Sequence, residues 1–393
     1  MSVTAAHGFS ASGVTAGLKS SGRDVALVLN TGPLRHAAAV FTTNSFAAAP
    51  VLWSRQVLSD GRADAVILNS GGANACTGPE GFQDTHTTAE RLAERLSAAG
   101  TDVSATDVTV CSTGLIGERL AMDSLLPGVE QAVAALSADA VGGTDAAEAI
   151  MTTDTHPKVA AVRTGTFTVG GMAKGAGMLA PGMATMLSVI TTDAVISSAD
   201  LDAALQEAVA VSFNRADSDG CMSTNDTVIA LASGAHPEAD QAGVDLGHFK
   251  NALTAVCADL ARQLIEDAEG AAHTIEVRTI NAPSEQDAET VSRAVARSNL
   301  FKTAIFGQDP NWGRILSAVG TTDVAFEPHR VDVSVNGVTI CRGGGIGDDR
   351  SLVDLSARAV TVLIDLNAGG SAATILTNDL THDYVHENSA YSS

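Results

Sequence analysis

Aromatic residues are scarce, at 4% of the chain, although hydrophobic residues make up 45%. A core of stacked rings is therefore excluded, and the interior must be built from Ala, Val, Leu and Ile in close contact. Positive charge is thin as well. Lys and Arg number 23 against 45 Asp and Glu, for a formal net charge of −22. Such a chain repels phosphate backbones and anionic lipid heads, which argues against nucleic acid and membrane surfaces as partners. The five cysteines (Cys76, Cys111, Cys221, Cys257 and Cys341) are odd in number and scattered, with no CxxC. That pattern fits neither a disulfide scaffold nor a zinc site, and it reads as small buried thiols in a reducing compartment. The ten histidines are equally dispersed and form no HxH and no HExxH. The start, MSVTAAHGFSASG, has no basic segment and no apolar run. No stretch is long and apolar enough to span a bilayer. The expectation is a soluble, cytoplasmic protein.

The 37 glycines are dispersed, so this is not a low-complexity chain. Periodicity predicts short strands at 25–31 and 37–42 around a turn at Gly32-Pro33, and further strands at 64–69 and 107–112. Strands are also predicted at 159–169, 186–193, 227–232, 274–280, 331–341, 358–366 and 372–377. Asn336-Gly337 supplies a hairpin signal within the run 331–341. Helices are predicted at 84–99, 122–136, 199–212 and 246–266. In the last of these Phe249, Leu253, Val256, Leu260 and Leu264 recur at helical intervals. Strands and helices mix without a strict βαβα rhythm, which indicates an α+β, layered α/β sandwich of mixed sheets with two lobes.

The most unusual segment is 170–187, GGMAKGAGMLAPGMATML. It carries glycines at 170, 171, 175, 177 and 182 and one proline, and it runs directly into an apolar strand. Three readings are open. The first is a flexible loop entering a core strand. The second is a phosphate loop, which fails because there is no GxxxxGK[ST] and the run leads into a strand rather than a helix. The third is chemical: a hydroxyl residue opening a strand attacks the carbonyl just before it. An N-to-O acyl shift follows and water cleaves the ester. The new N-terminal threonine then holds a hydroxyl and an α-amine of unperturbed pKa about 8, so one residue supplies nucleophile and base.

Lys174-Gly175-Ala176-Gly177-Met178-Leu179-Ala180-Pro181-Gly182-Met183-Ala184-Thr185-Met186-Leu187 matches the pattern KGxGMxxPxMATML. On this motif, and on others that follow in order, the chain resembles the ornithine acetyltransferase family, or glutamate N-acetyltransferases, along essentially its whole length. Gly182 departs from the Asn of many members. The resemblance implies an N-terminal-nucleophile-type enzyme of arginine biosynthesis that cleaves itself between Ala184 and Thr185. It would yield a chain of 1–184 and a chain of 185–393 opening on the nucleophile Thr185. Ser112-Thr113-Gly114-Leu115-Ile116-Gly117 matches STGxIG, whose Thr-Gly pair lines an oxyanion hole, which implicates Thr113 and Gly114. Alone it would be an ordinary strand-to-turn sequence. Thr152-Thr153-Asp154-Thr155, otherwise a polar turn, is similar to the family's MTTDT and implicates Thr152 as a substrate contact. Lys174 falls in the substrate site by the same correspondence. Ile265-Glu266-Asp267-Ala268-Glu269-Gly270-Ala271 resembles DGEGA with Ala268 in place of Gly, and implicates Glu269. Its carboxylates stand at a helix C-terminus, where the helix dipole disfavours them. The tail, otherwise expected to fray, implicates Asn388 and the terminal hydroxyl of Ser393.

Ser212-Phe213-Asn214 and Asp219 to Thr227 resemble FN and DGDxSTNDT, with Cys221 where Asp is common. Phe306 to Arg314 matches FGxDPNWGR. Both read as Asx-rich turns ordering the backbone. The implied reaction moves an acetyl group from N2-acetylornithine to Thr185 and then to glutamate, in ping-pong order, and it implies no metal or organic cofactor. The nearest alternative is a bifunctional enzyme that also takes the acetyl group from acetyl-CoA. A self-cleaving hydrolase and an uncleaved metabolite-binding protein are the readings from other classes. The implied partners are these small molecules, the chain's own cleaved half and a second such pair, giving a heterotetramer.

Overall fold

The computed structural model describes residues 2–180, 186–238 and 243–390. Ala184, Thr185 and Ser393 therefore lie outside the described residues, as does most of the Pro181–Leu187 end of the central motif. The chain divides into two compact units. One comprises Met1–Asn214 and Cys221–Leu264, and the other Arg215–Gly220 and Ile265–Ser393.

In the first unit the elements run β1 (Phe9–Val14), β2 (Val25–Asn30), β3 (His36–Phe41), α1 (Ala49–Val57), β4 (Ala65–Ser70), α2 (Gly78–Ala98), β5 (Val108–Thr113), α3 (Met122–Ala134) and α4 (Ala140–Ala149). Then follow β6 (Lys158–Arg163), β7 (Thr168–Lys174), β8 (Leu187–Thr192), α5 (Ser198–Val211), β9 (Thr227–Ala232) and α6 (Leu246–Glu266). The strands form two sheets, β1-β2-β4-β5 and β3-β9-β8-β7-β6. Each mixes pairings: β4 with β5 and β8 with β9 are parallel, and the rest are antiparallel.

Alternation along the strands builds the layers. Val25, Leu27 and Leu29 of β2 pack with Trp53, Leu92 and Val129 of the helices α1 to α3. Ala26 and Val28, on the opposite face, pack with Met172, Val189 and Ile229 of the second sheet. A strand buried on both faces is a near-continuous apolar run, and β2 and β4, buried at every position, are apolar until their last residues, Asn30 and Asn69-Ser70, whose side chains are hydrogen-bonded. The second sheet is backed by α6: a Cβ on Gly171 would sit 3.1 Å from Leu260 and 3.3 Å from Val256. The order is helix, sheet, sheet, helix.

The second unit continues with β10 (Thr274–Ala282), α7 (Glu285–Ala296), α8 (Asn299–Phe306), α9 (Trp312–Val319), β11 (Asp332–Val335), β12 (Val338–Arg342), β13 (Gly345–Ile346), β14 (Ala359–Asp365), β15 (Ser371–Asn378) and α10 (His382–Ala390). Its sheet, β13-β12-β11-β14-β10-β15, buries Ile275, Val277, Val333 and Ile364 against Val291, Phe301 and Ile315. Here one face is buried and the other more exposed, and burial alternates along β14, where Val360, Val362 and Ile364 face inward. The mixed, layered α/β architecture expected from the sequence is the one found.

Several expectations need correction. The run 159–169 is not one strand: β6 and β7 are separated by a turn in which the Thr164 hydroxyl donates to the Phe167 carbonyl. The strands at 25–31 and 37–42 enter different sheets. The glycine-rich start of 170–187 is not a loop, because Gly170 and Gly171 lie inside β7. Their role is close packing: a Cβ at Gly170 would stand 2.4 Å from the Ser2 carbonyl oxygen, and one at Gly171 2.8 Å from Ile190. The Asn336-Gly337 hairpin is present, with both residues at positive φ (46° and 83°) as a two-residue turn requires. The thiols are not all buried, since Cys76 and Cys221 are exposed. Burial pushes those of Cys111 and Cys257 up to about 12.

Candidate active site

Thr113 ends β5, beside the end of its parallel neighbour β4. The chain turns back there, and the Gly71 and Gly72 amides both donate to the Thr113 carbonyl, at 2.9 and 3.0 Å. Gly114 follows at φ 135°, and a Cβ would stand 2.5 Å from the Gly72 nitrogen. Any other residue would break this turn. Asn225 ties the same strand end from below: its side-chain amide donates to the Ser112 carbonyl at 2.8 Å and to the Ala73 carbonyl at 2.5 Å. The dense STNDT segment thus orders backbone, as its Asx-rich sequence suggested.

Lys174 ends β7 and is 1% exposed. Its ammonium donates to the Thr113 hydroxyl at 3.2 Å. Asp154 organises the surroundings. One carboxylate oxygen accepts from the Lys158 ammonium at 2.6 Å and from the Gly175 amide at 2.7 Å, and the other from the Thr152 amide at 3.0 Å. The side chains of Asp154 and Lys158 are wholly buried. Burial alone would raise the Asp154 carboxyl, but Lys174, Lys158 and the Gly175 amide outweigh it and hold it down at about 2. Asp226, 0% exposed, accepts from the Met186 amide at 2.9 Å. Burial drives its carboxyl well above the usual range, against the pull of the Met186 amide and Lys174.

Of the residues singled out from the sequence, Thr113, Gly114, Thr152 and Lys174 are drawn together through Lys174 and Asp154. Glu269 and Asn388 are in the second unit. The Asn388 amide donates to the Glu269 carboxylate at 2.9 Å. This pairing depends on Gly270, at φ 62°, where a Cβ would meet the Tyr384 nitrogen of α10 at 2.1 Å. The unfavourable end of α6 is answered by Arg358, whose guanidinium donates to the Glu266 and Ala271 carbonyls. In the same unit, Asn311 of the FGQDPNWGR segment caps α9 by accepting from the Arg314 amide at 3.1 Å.

Asp154, Lys158 and Asp226 carry the electrostatics of this cluster, and sequence reasoning assigned them nothing. Asp154 and Asp226 lie inside quoted motifs, yet nothing local marks a carboxylate as buried against a lysine. Among the described residues no three His, Cys, Asp or Glu side chains group as metal ligands would, and no helix is long and apolar enough to cross a membrane.

The ArgJ family model matches residues 10–393. The arginine biosynthesis bifunctional protein ArgJ of Streptomyces coelicolor is 60% identical over 397 residues, covering all of both chains. The protein of the same name from Thermobifida fusca is 58% identical over 394 residues, again covering all of both. A crystal structure of ornithine acetyltransferase complexed with ornithine from Mycobacterium tuberculosis matches at 61% identity. It covers 46% of this chain and 94% of its own, with a TM-score of 0.46. With its family model and these full-length relatives in agreement, the chain belongs to the ArgJ family.

Proposed function

We propose that this chain acetylates glutamate with the acetyl group of N2-acetylornithine, after cutting itself between Ala184 and Thr185. Membership of the ArgJ family, at 60% identity over the whole length, makes it an acyltransferase of arginine biosynthesis. The steps are our reading. The Thr185 hydroxyl attacks the acetyl carbonyl while its α-amine takes the proton. The ammonium returns that proton to the departing ornithine nitrogen as the amide bond breaks. Glutamate enters, its amine attacks the acetyl-threonine ester, and the Thr185 oxygen leaves with a proton. One amide is exchanged for a similar one, so no other energy source is needed.

The observation that carries this reading is the contact of Lys174 with Thr113. A buried ammonium touches a hydroxyl at a strand end, beside the Gly114 amide. Donors fixed in this way stabilise the alkoxide formed on attack, and removing one costs roughly 10²–10³ in rate. Lys174 also pairs in register with Leu187, two residues past Thr185. Thr152 and Lys174, with Thr185, Glu269, Asn388 and Ser393, are proposed as substrate contacts, the ammonium of Lys174 suiting a carboxylate. The pairing of β7 with β8, one on each side of the cut, supports two pieces that stay together. A dimer of such pairs in the cytoplasm completes the proposal. In the Thr185→Ala variant, mass spectrometry should find one uncut chain and assays no transfer; cleavage at the same bond would refute self-processing. The relatives are named bifunctional, which favours a second reading with acetyl-CoA as an additional donor. Acetylation of glutamate from acetyl-CoA without ornithine tests it.

A further inference from the structure

Lys19 is a half-buried cation that the reaction above leaves unused. It lies in the loop 15–24, which joins β1 to β2. One wholly buried carboxylate shapes this loop. Asp24 accepts from the amides of Ala16, Gly17, Leu18 and Lys19 in turn, at 2.6, 2.9, 2.6 and 3.2 Å. The Thr15 hydroxyl closes the loop by donating to the Gly22 carbonyl at 3.0 Å. Arg23 ties it to α4 through Asp145 and Glu148. Successive amides gathered on one carboxylate hold a short loop in one shape, and the place of Lys19 follows from it.

The loop meets the candidate site on two sides. On one, it abuts Gly71, where a Cβ would stand 2.7 Å from that of Leu18. The Gly71 amide is one of the two that donate to the Thr113 carbonyl. On the other side, the Lys19 ammonium donates to the Met151 carbonyl at 2.8 Å. The same peptide unit carries the Thr152 amide, which donates to Asp154 at 3.0 Å. A trans peptide is planar, and its C=O and N–H point in opposite directions. A cation on the carbonyl and an anion on the amide therefore fix its plane, and with it the direction in which the Thr152 side chain leaves the backbone. Secondary structure does not fix it, because the residues between α4 and β6 belong to no helix or strand. Burial lowers the pKa of the Lys19 ammonium, while Asp24 and Asp154 pull the other way. The carboxylate at the far end of the peptide is thus among its charged neighbours.

We propose that Lys19 is a positioning residue for the acetyl transfer, holding the Met151–Thr152 peptide against Asp154 so that the Thr152 hydroxyl meets the substrate. This rests on the reading of Thr152 as a substrate contact. Lys19 itself exchanges no proton and touches no reacting atom.

The test is Lys19→Met, which keeps the length of the side chain and removes its donors. KM for N2-acetylornithine should rise about 10-fold, the low end for losing a hydrogen bond from a charged group. The kcat should stay within about 2-fold, as when binding common to ground and transition states is lost. Lys19→Arg, whose guanidinium can donate to the same carbonyl, should recover most of the loss. In a Thr152→Val background, Lys19→Met should add less than about 2-fold, since residues acting through one contact are not additive. A Lys19→Met variant with wild-type KM would overturn the proposal, as would effects that multiply in the double variant. Should Lys19→Met not fold, a crystal structure of the wild-type enzyme with ornithine bound decides. The Lys19 ammonium on the Met151 carbonyl and the Thr152 hydroxyl on ornithine, each within about 3.2 Å, support the assignment. Lys19 turned away from that carbonyl overturns it. Thr152→Val with a wild-type KM would instead refute Thr152 as a substrate contact, so the two failures are distinct.

Discussion

The two groups of candidate residues are built on opposite principles. In the first unit Asp154, Lys158 and Lys174 are buried charges, each fixed by partners a few ångströms away. In the second, Glu269 and Asn388 meet through one hydrogen bond at the surface. A buried ionic cluster is over-determined: removing one member strands the others in a medium that cannot solvate them. An exposed pair is solvated whether or not it forms, so its loss barely registers in stability. A functional residue in the first group is therefore also structural, while one in the second can be changed with little cost to the fold.

The largest expected effect is that of Asp154→Asn. It leaves two buried lysines without their shared carboxylate, and breaking a buried pair costs about 3–5 kcal/mol. Chemical denaturation should show that loss at neutral pH. The sign with pH is fixed by the direction of the shift. The Asp154 carboxyl lies at about 2 in the fold, below the ordinary value of about 3.9. Its contribution is complete above the ordinary value and is lost as pH falls through the folded one. The gap between wild type and variant should therefore narrow below about pH 4 and close toward pH 2. A gap that widened with acid would contradict the assignment.

Lys174→Ala should lower stability, by less than Asp154→Asn because Lys158 still pairs with Asp154, and should act on substrate as well. A charge-assisted hydrogen bond contributes about 1.5–3 kcal/mol, so kcat/KM for N2-acetylornithine should fall about 10- to 100-fold. Unchanged kinetics would remove Lys174 from the site. The smallest stability effect is that of Asn388→Ala, no more than about 1 kcal/mol. Because the fold is spared, any rise in KM reports on substrate directly, and an unchanged KM would leave the Glu269–Asn388 pair a surface contact alone.

Most strands were legible in the sequence, but of the helices described only α2, α3, α5 and α6 were, and the reasons for the rest are specific. The strand 227–232 was read to the residue because β9 is apolar from Val228 to Ala232 and sharply bounded. β7 was read as strand only to Val169, with a loop among the readings left open beyond it, because Gly170 and Gly171 mimic flexibility, whereas the backbone of Ser2 and the side chains of α6 leave no room for larger residues. Helix α4 (AVGGTDAAEA) was missed for a related reason. Its glycines pack on β1, and its start is set by Asp139 accepting from the Val141 and Gly142 amides. Thr113, Gly114 and Lys174, which the structure brings together, were singled out through motifs. Asp154 and Asp226 were not, because their burial arises from chain segments far apart in sequence and leaves no local pattern.

The central claim is that this chain makes its own nucleophile, and intact-mass measurement of the purified wild-type protein under denaturing conditions tests it most directly. The account predicts two masses, those of residues 1–184 and 185–393, which travel together under native conditions. A single mass for all 393 residues, in a preparation with full acetyl-transfer activity, would contradict it.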